Sequence, residues 1–384
     1  MVPRRLVAVG LVATSVLAAG VSVTPPATAV ATSTPGTIAA ARLARMTEAQ
    51  RVGQLFMVGT PATGASSATL TAIARYHVGN VILTGRSYAG VAAVARVSAT
   101  LRARATATAT NAVPLFVATD QEGGYVQVLH GPGFSTIPTA LIQGGWSTTY
   151  LRAAATTWGR QLRAAGVNVD LAPVTDTVPS AAFAPYNAPI GYYKREFGFT
   201  TARVAAHGVA FAQGMAAAHV EATAKHFPGL GRVTANTDVA SGVTDRITTR
   251  HDAYVAPFAA AVNAGVPFVM MSTAFYSRID PTHPAAFSRT VIGGMLRGDL
   301  RFTGVVISDD LGAARQVAAY SLGSRAVDFI TAGGDMVLTV TPATLPAMYA
   351  AVLHAATTNA TWRARVNQSA LRVLTAKARL GLIR

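Results

Sequence analysis

Apolar runs of strand length recur eight times along this chain and constrain its fold more than any other feature. Each run is five to seven residues long and is almost continuously apolar. Such runs are typical of strands that are buried on both faces of a sheet. The eight runs are residues 55–59, 80–84, 114–119, 168–174, 220–226, 267–272, 304–308 and 335–340. They predict eight buried strands.

Alanine-rich segments with helical spacing separate these runs. The clearest are residues 89–104, 150–165 and 200–218. Strands that alternate with helices indicate βαβ units and a parallel sheet. Eight such units predict a (β/α)8 TIM-type barrel in a single α/β domain. The alternative is an open doubly wound sheet, which is disfavoured because no G-x-G-x-x-G motif follows the first strand.

The N-terminus has the order of a secretory signal peptide. Arg4 and Arg5 precede an apolar run at residues 6–19, and small-residue cleavage sites follow at 27–29 and 29–31. The run is shorter than the ~20 residues that cross a bilayer. We therefore expect a signal peptide at 1–31, a linker at 32–39 and the barrel domain at 40–384. The protein is then secreted or cell-wall associated, with no integral membrane segment after cleavage.

Composition excludes several classes of function. The 32 Lys and Arg against 16 Asp and Glu give a net charge of +16, which favours anionic surroundings. The basic residues form no long runs and do not alternate with aromatic residues, so we expect no nucleic-acid partner. The absence of Cys excludes disulfides and thiolate chemistry. H-E-x-x-H and G-x-S-x-G motifs are also absent, so we expect neither a metal nor a serine hydrolase.

Polar clusters follow the predicted strands at the points where a barrel has its chemistry. DQEGG at 120–124 follows the third strand, KHFPG at 225–229 ends the fifth, and SDD at 308–310 ends the seventh. In (β/α)8 barrels the active site lies at the C-terminal ends of the strands. Carboxylates accept hydrogen bonds from hydroxyl groups, and Lys and Arg donate to them. The clusters therefore predict a pocket for a polyhydroxylated ligand.

These motifs, together with R-x-F-G at 195–198, resemble glycoside hydrolase family 3, and most closely its single-domain β-N-acetylglucosaminidase branch. The resemblance runs from about residue 51 to residue 340. It implies a (β/α)8 barrel, no cofactor, and retaining hydrolysis through a covalent glycosyl-enzyme. Asp309 matches the nucleophile. The residues that match sugar-binding positions are Asp120, Arg195, Lys225 and His226.

Simpler structural roles compete with these assignments. Asp309 is also suited to cap a following helix, and His226 to be a buried histidine with satisfied hydrogen bonds. Lys225 is also placed to form a salt bridge with Asp170 or Asp176. We favour ligand binding because the residues fall together at matching strand ends.

The sequence departs from the resembled family at positions that bear on catalysis. Tyr125 and Val128 stand where arginines commonly follow DQEGG, so a sugar contact is lost or supplied elsewhere. The branch commonly has its general acid/base histidine thirteen residues after the KHFPG lysine. That position is Asp238 here, and Asn236 replaces the aspartate that orients the histidine.

Three interpretations of this loop remain open. Asp238 is itself the acid/base, or the loop is inactive and the protein only binds sugars, or Glu122 or Asp310 supplies the acid. We favour the first, because retaining glycosidases commonly pair two carboxyl groups about 5–5.5 Å apart. We expect Asn236 to hydrogen-bond the Asp238 carboxyl group, and Gly229 and Gly231 to make the loop mobile.

The resulting prediction is an exported, monomeric exo-β-N-acetylglucosaminidase. It hydrolyses terminal β-linked N-acetylglucosamine from peptidoglycan fragments, so its partner is a carbohydrate. Another exo-β-glycosidase, such as a β-glucosidase, and a catalytically silent cell-wall sugar-binding protein are the alternatives.

Overall fold

Eight parallel strands close into a barrel in the computed structural model, which describes residues 1–18, 20 and 34–384. In chain order they are β1 (Phe56–Pro61), β2 (Asn80–Thr84), β3 (Phe116–Thr119), β4 (Val169–Asp170), β5 (Glu221–Phe227), β6 (Phe268–Met271), β7 (Val305–Asp310) and β8 (Met336–Thr339). Each strand pairs with its neighbours in sequence, and β1 pairs with β8 to close the ring. The predicted (β/α)8 barrel and its eight strands are confirmed.

Helices surround the barrel and separate most of its strands. They are α1 (Pro35–Ala44), α2 (Glu48–Gly53), α3 (Ser67–Arg75), α4 (Gly90–Arg102), α5 (Ala107–Thr110), α6 (Ala140–Gln143), α7 (Thr148–Ala164), α8 (Thr201–Ala217), α9 (Ala256–Asn263), α10 (Leu322–Ala332), α11 (Leu345–Thr358) and α12 (Ala360–Arg379). A π-helix, Thr290–Asp299, takes the helical position between β6 and β7. The three helices predicted from alanine-rich spacing are α4, α7 and α8. In the described part of the chain, no helix is both long and apolar enough to cross a membrane.

Short strands lie in the loops outside the barrel. Gln121–Gly123 and Val126–Gln127 form a hairpin directly after β3. A second small sheet consists of Thr244–Asp245, Phe275–Tyr276 and Asp280–Pro284. These additions enlarge the loops at the C-terminal ends of the barrel strands.

The barrel domain begins earlier than the sequence predicted. Helix α1 starts at Pro35, inside the segment assigned as a linker at 32–39, and the side chain of Thr34 caps it by accepting from the N–H of Thr37. Ala39 is buried in a cluster with Leu374 of α12, so this segment packs on the domain. Residues 1–18 contain neither helix nor strand. The predicted cleavage sites at 27–31 and the first residues of the predicted linker, 32–33, lie outside the described residues.

The interior of the barrel is filled by side chains that alternate along each strand. Phe268 and Met270 point inward, whereas Val269 and Met271 pack against the helices. This alternation follows from the period of two residues in a strand. Phe116 and Phe268 meet edge to face across the interior, with ring centroids 5.4 Å apart. The barrel is therefore a packed core, and a ligand site can form only at its ends.

Helix α12 closes the N-terminal end of the barrel. Its Lys377 is fully buried, and the ammonium group donates to Gln54 Oε1 at 2.8 Å and to the carbonyl oxygen of Gly79 at 2.9 Å. The ammonium nitrogen lies 5.2 Å from the centroid of the Phe116 ring. Burial lowers the pKa of Lys377 well below its ordinary value.

A buried carboxylate ties α12 to the starts of β7 and β8. Asp335 is fully buried and accepts from Arg372 Nη1, Ser369 Oγ and the N–H of Val306, each at 2.9 Å. Arg297 of the π-helix donates to the same carboxylate. One anion thus links α12, the π-helix and the start of β7.

Replacing Asp335 with alanine is expected to destabilise the protein by about 3–5 kcal/mol, because Arg297 and Arg372 lose the buried anion that compensates their desolvation. The measurement is urea unfolding followed by circular dichroism. Asp299→Ala is the control, because Asp299 pairs with Arg250, whose side chain is 45% exposed, and its removal should leave the midpoint almost unchanged. Equal midpoints for the two variants would contradict this account.

Candidate active site

A cavity of about 530 Å³ opens at the C-terminal ends of the strands. Its volume lies in the range of about 300–1,000 Å³ that is usual for small-molecule sites. The floor is the upper layer of the barrel interior, formed by Ile82, Leu171, Met270 and Leu338. The six predicted site residues all line this cavity: Asp120, Arg195, Lys225, His226, Asp238 and Asp309.

Glu122 connects the two cations of the cavity. Lys225 Nζ lies 2.7 Å from both Asp120 Oδ1 and Glu122 Oε1. Arg195 holds the same Glu122 carboxylate with two parallel bonds of 2.8 and 2.9 Å. Lys225 therefore pairs with Asp120 and Glu122, and the alternative that it bridges to Asp170 or Asp176 is wrong.

The charges of this network are fixed over the whole neutral pH range. Burial alone would raise the pKa of Glu122, but the charges of Arg195 and Lys225 bring it down to about 2. Burial likewise opposes the charge of Lys225, and Asp120 and Glu122 outweigh it, so the pKa of Lys225 is raised. The Asp120 side chain keeps 28% of its surface exposed. Asp120 can therefore accept from a ligand hydroxyl, while Glu122 is enclosed by its partners.

His226 is held by a buried aspartate. Its Nδ1 lies 2.8 Å from Asp176 Oδ2, and the same carboxylate accepts from the N–H of Leu230 at 2.7 Å. The other ring nitrogen faces Arg195 Nη2 at 3.5 Å and lies in the cavity wall. His226 is thus both a well-satisfied buried histidine and part of the cavity. Its role as a sugar ligand stays a prediction.

Asp309 presents its carboxylate to the cavity. It is the penultimate residue of β7, and its Oδ1 accepts from the N–H of Asp310 at 2.9 Å. No helix begins at Asp309, so the structure does not support a capping role. Burial raises the pKa of Asp309 and the charge of Asp238 raises it further, against the opposing charges of His226 and Lys225. The two carboxyl groups therefore disfavour a state in which both are ionised.

The structure argues against the two other candidate acids. The carboxylate of Asp310 accepts from the N–H groups of Gly312, Ala313 and Val340, at 2.9–3.2 Å, and so fixes the turn after β7. Glu122 stays ionised between its two cations and has no proton to donate. The choice between Asp238 as the acid/base and an inactive loop stays a prediction.

Asp238 is exposed on the β5 loop, which we define as residues 228–252. The Asn236 side chain accepts from the backbone N–H of Asp238 at 2.9 Å, so the expected bond to the carboxyl group is not the one formed. Asn236 therefore orients the backbone on which the Asp238 carboxyl group is carried.

Gln316 joins the β5 loop to the segment that follows β7. Its side-chain amide forms a two-bond pair with the backbone of Val243, at 2.9 and 3.1 Å. The N–H groups of Arg315 and Gln316 donate to the carbonyl oxygens of Asp238 and Thr237, each at 3.0 Å. These four bonds hold Asp238 beside Asp309.

The glycines of the β5 loop allow close packing. A Cβ atom at Gly231 would lie 1.8 Å from the carbonyl oxygen of Thr177, so a side chain does not fit. The carbonyl oxygen of Gly229 accepts from the Tyr276 hydroxyl at 2.8 Å. In the structure these glycines fix the start of the loop, and the expected mobility of the rest of the loop stays a prediction.

Sequence reasoning did not identify the roles of several supporting residues. Asp170 is fully buried below Asp120, accepts from the N–H of Gln121 at 3.0 Å, and has its pKa raised by burial to about 8. Asp176 orients His226, and Gln316 positions the β5 loop. Asp and Glu are scarce in this chain, so the positions of Asp170 and Asp176 near the end of a strand already indicated a role in the site. Nothing in the sequence marked Gln316. No group of three His, Asp or Glu residues in the described ranges is placed to hold a metal ion.

Comparisons with known proteins agree with this geometry. The family model described as "Glycosyl hydrolase family 3 N terminal domain" matches residues 47–376. A β-hexosaminidase from Xylella fastidiosa (strain M23) is 34% identical over 299 residues, which cover 75% of this chain and 84% of that protein. The crystal structure of a β-N-acetylhexosaminidase from Beutenbergia cavernae is 55% identical, with a TM-score of 0.86, covering 87% of this chain and 99% of that one. A family 3 β-N-acetylglucosaminidase from Paenibacillus is 32% identical, with a TM-score of 0.79, covering 88% of this chain and 63% of that one.

Replacing Gln316 with leucine is expected to loosen the β5 loop. The backbone of Val243 loses both of its side-chain partners, so the amides of Arg315 and Gln316 lose part of their protection. We expect amide hydrogen exchange in the segment around residue 315 to be about tenfold faster. Gln213→Leu is the matched control, because Gln213 is exposed on α8 and far from the loop. Unchanged exchange in Gln316→Leu would mean that the loop is held by other contacts.

Proposed function

The chain belongs to glycosyl hydrolase family 3 and is a β-N-acetylhexosaminidase, and on this basis we propose that it is exported and removes terminal β-linked N-acetylglucosamine from peptidoglycan fragments with retention. The observation that carries the proposed mechanism is the pairing of Asp309 and Asp238 in one cavity, opposite a fixed cluster of ligand-binding charges. The tertiary structure thus supplies two carboxyl groups of different environment, as retaining hydrolysis requires.

The barrel sets the orientation of the sugar. Asp120 follows β3 and Asp309 ends β7, and these strands are opposite in the ring of eight. A pyranose that rests on the apolar floor can direct its hydroxyls toward Asp120 and Lys225. Its anomeric carbon then faces Asp309. The charged cluster closes the cavity on the side to which the sugar hydroxyls point. The site therefore suits the sugar at the non-reducing end of a glycan chain.

The reaction takes two displacement steps. In the first, the Asp309 carboxylate bonds to the anomeric carbon, the glycosidic C–O bond breaks, and Asp238 gives its proton to the departing oxygen. In the second, a water oxygen bonds to the anomeric carbon, the bond to Asp309 breaks, and Asp238 takes the proton of the water. Two inversions give net retention.

The proposal that the protein is exported and acts on cell-wall fragments rests on the sequence. The order of charged, apolar and small residues at the N-terminus supports export, and the net charge of +16 suits an anionic cell wall. The Paenibacillus relative is described as a β-N-acetylglucosaminidase, which supports the choice of sugar.

Replacing Asp238 with alanine tests the acid/base assignment. With p-nitrophenyl β-N-acetylglucosaminide the leaving group departs with little acid assistance, so the second step is the one that slows. We expect kcat to fall by about 10²–10⁴ and azide to restore it, because azide attacks the glycosyl-enzyme without base assistance. The product in azide should be the β-glycosyl azide, which also reports retention.

Val239→Ala is the matched control for this variant. Val239 is the neighbouring residue of the same loop, its side chain is 78% exposed, and its truncation should leave kcat near that of the wild type. An Asp238→Ala enzyme with full activity would assign the acid/base to another group. A loss of kcat that azide does not reverse would argue against a covalent intermediate.

The pH dependence of kcat/KM should carry the signature of the nucleophile. The first step needs ionised Asp309, so the rate falls as the pH drops through the pKa of this group. Burial raises that pKa, so the acid limb should lie above the ordinary aspartate value of about 3.9. The first step also needs protonated Asp238, so Asp238 is neutral when Asp309 ionises. Asp238→Asn should therefore leave the acid limb nearly in place and abolish the fall in rate at high pH that comes from ionisation of Asp238.

Glu48→Gln provides the control, because it removes one negative charge at α2, away from the cavity, and should leave both limbs in place. A fall in rate at high pH that persists in Asp238→Asn would assign the proton donor to another group.

A further inference from the structure

Tyrosines dominate the exposed apolar surface around the mouth of the cavity. The exposed tyrosines of the domain are Tyr88, Tyr125, Tyr150, Tyr186, Tyr192 and Tyr193. They follow β2, β3 or β4, either in the loops or in the first turn of α7. All of them therefore lie at the catalytic end of the barrel and on one half of its circumference. Exposed apolar side chains that concentrate in one region mark interaction sites.

Three of these rings form a continuous cluster that leads out of the cavity. Tyr125 and Tyr193 meet with centroids 6.0 Å apart, and Tyr193 and Tyr192 meet at 5.0 Å, both edge to face. Tyr125 and Tyr193 line the cavity, whereas Tyr192 lies outside it and is 62% exposed. We call Tyr125, Tyr192 and Tyr193 the tyrosine rim.

The backbone beneath the tyrosine rim is well anchored. The carbonyl oxygen of Tyr125 accepts from Arg86 Nη2 at 2.6 Å. Asn187 is fully buried, and its side-chain amide donates to the carbonyl oxygens of Leu230 and Val233, at 2.8 and 2.6 Å. The N–H of Tyr192 donates to the carbonyl oxygen of Asn187 at 3.0 Å. The rings are therefore presented by a preorganised loop, which reduces the entropy lost when a ligand binds.

The chemistry of the rim fits a carbohydrate chain. A tyrosine ring offers a flat apolar face with a polar tip, and it loses little conformational entropy because it has only two side-chain torsions. A pyranose has the complementary form, with apolar C–H faces and a rim of hydroxyl groups. The tyrosine rim is also uncharged, so it selects for the sugar faces of a polymer rather than for its anionic groups.

The position of the tyrosine rim indicates which glycan strand it contacts. The rim follows β3 and β4, on the side of the cavity opposite Asp309. In the sugar orientation proposed above, this is the side of the non-reducing end, beyond which the bound chain has no further residue. We infer that the tyrosine rim binds a neighbouring glycan strand of an insoluble polysaccharide and so holds the enzyme close to the glycans from which its substrate fragments come. This inference rests on the proposed function for the direction of the bound sugar.

Binding to insoluble chitin tests the tyrosine rim directly. Chitin is uncharged, so the net charge of the protein contributes little to its adsorption. Binding isotherms are measured with Asp309→Asn protein, in which the polymer is not consumed. We expect Tyr192→Ala in this background to bind chitin about fivefold more weakly, which corresponds to about 1 kcal/mol. Tyr150→Ala is the matched control, because Tyr150 is 59% exposed but contacts Trp146 rather than the rim.

The outcomes separate this inference from the proposed function. Equal chitin binding by Tyr192→Ala and its parent, or no binding by the parent, would overturn the inference while wild-type hydrolysis could still stand. An equal loss of affinity for free N-acetylglucosamine in Tyr192→Ala would also overturn it, because the ring would then act through the cavity. Selective loss of chitin affinity supports it. Absence of hydrolysis by the wild type would refute the proposed function, and the binding isotherms would remain interpretable.

Discussion

The active end of this barrel depends on one buried carboxylate shared between two cations. Glu122 joins Lys225 on β5 to Arg195 in the loop after β4, and Lys225 also reaches Asp120 after β3. A buried charge is tolerated only when it is paired and hydrogen-bonded, so none of the three enclosed groups can leave its place without leaving another uncompensated. The network therefore fixes the edge of the cavity at which we propose that the sugar binds, together with three of the segments that form it.

The electrostatic environment is different at the opposite edge of the cavity. Burial and the nearby Asp238 both raise the pKa of Asp309 and so disfavour its charge. The charges of Arg195 and Lys225 instead lower the pKa of Glu122 and stabilise its charge. In the proposed mechanism, the fixed charges on one side of the cavity bind the sugar, and the carboxyl groups of Asp238 and Asp309 on the other side carry out the reaction. Gln316 maintains the second arrangement by holding the β5 loop against the turn after β7.

The loops after β3 and β4 extend the binding side beyond the cavity. Tyr125 stands where the resembled family commonly has arginine, and it brings an uncharged ring to the mouth of a site already rich in fixed charge. Tyr193 packs against it and Tyr192 continues the surface outward. In the proposed mechanism, binding therefore belongs to one half of the barrel circumference, and bond cleavage to the loops after β5 and β7.

The sequence by itself determined the barrel and the set of residues that meet in the cavity. Apolar runs with a strand period specify buried strands, and a closed parallel barrel brings all strand ends to one rim, so DQEGG, KHFPG and SDD converge without further information. Only the tertiary structure determined which side chains and segments contact one another. Lys225 pairs with Glu122 rather than Asp170, residues 35–39 of the predicted linker belong to helix α1, and Gln316 reaches Val243 across 73 residues. Such choices depend on side-chain direction and close packing between distant segments, which no local periodicity encodes.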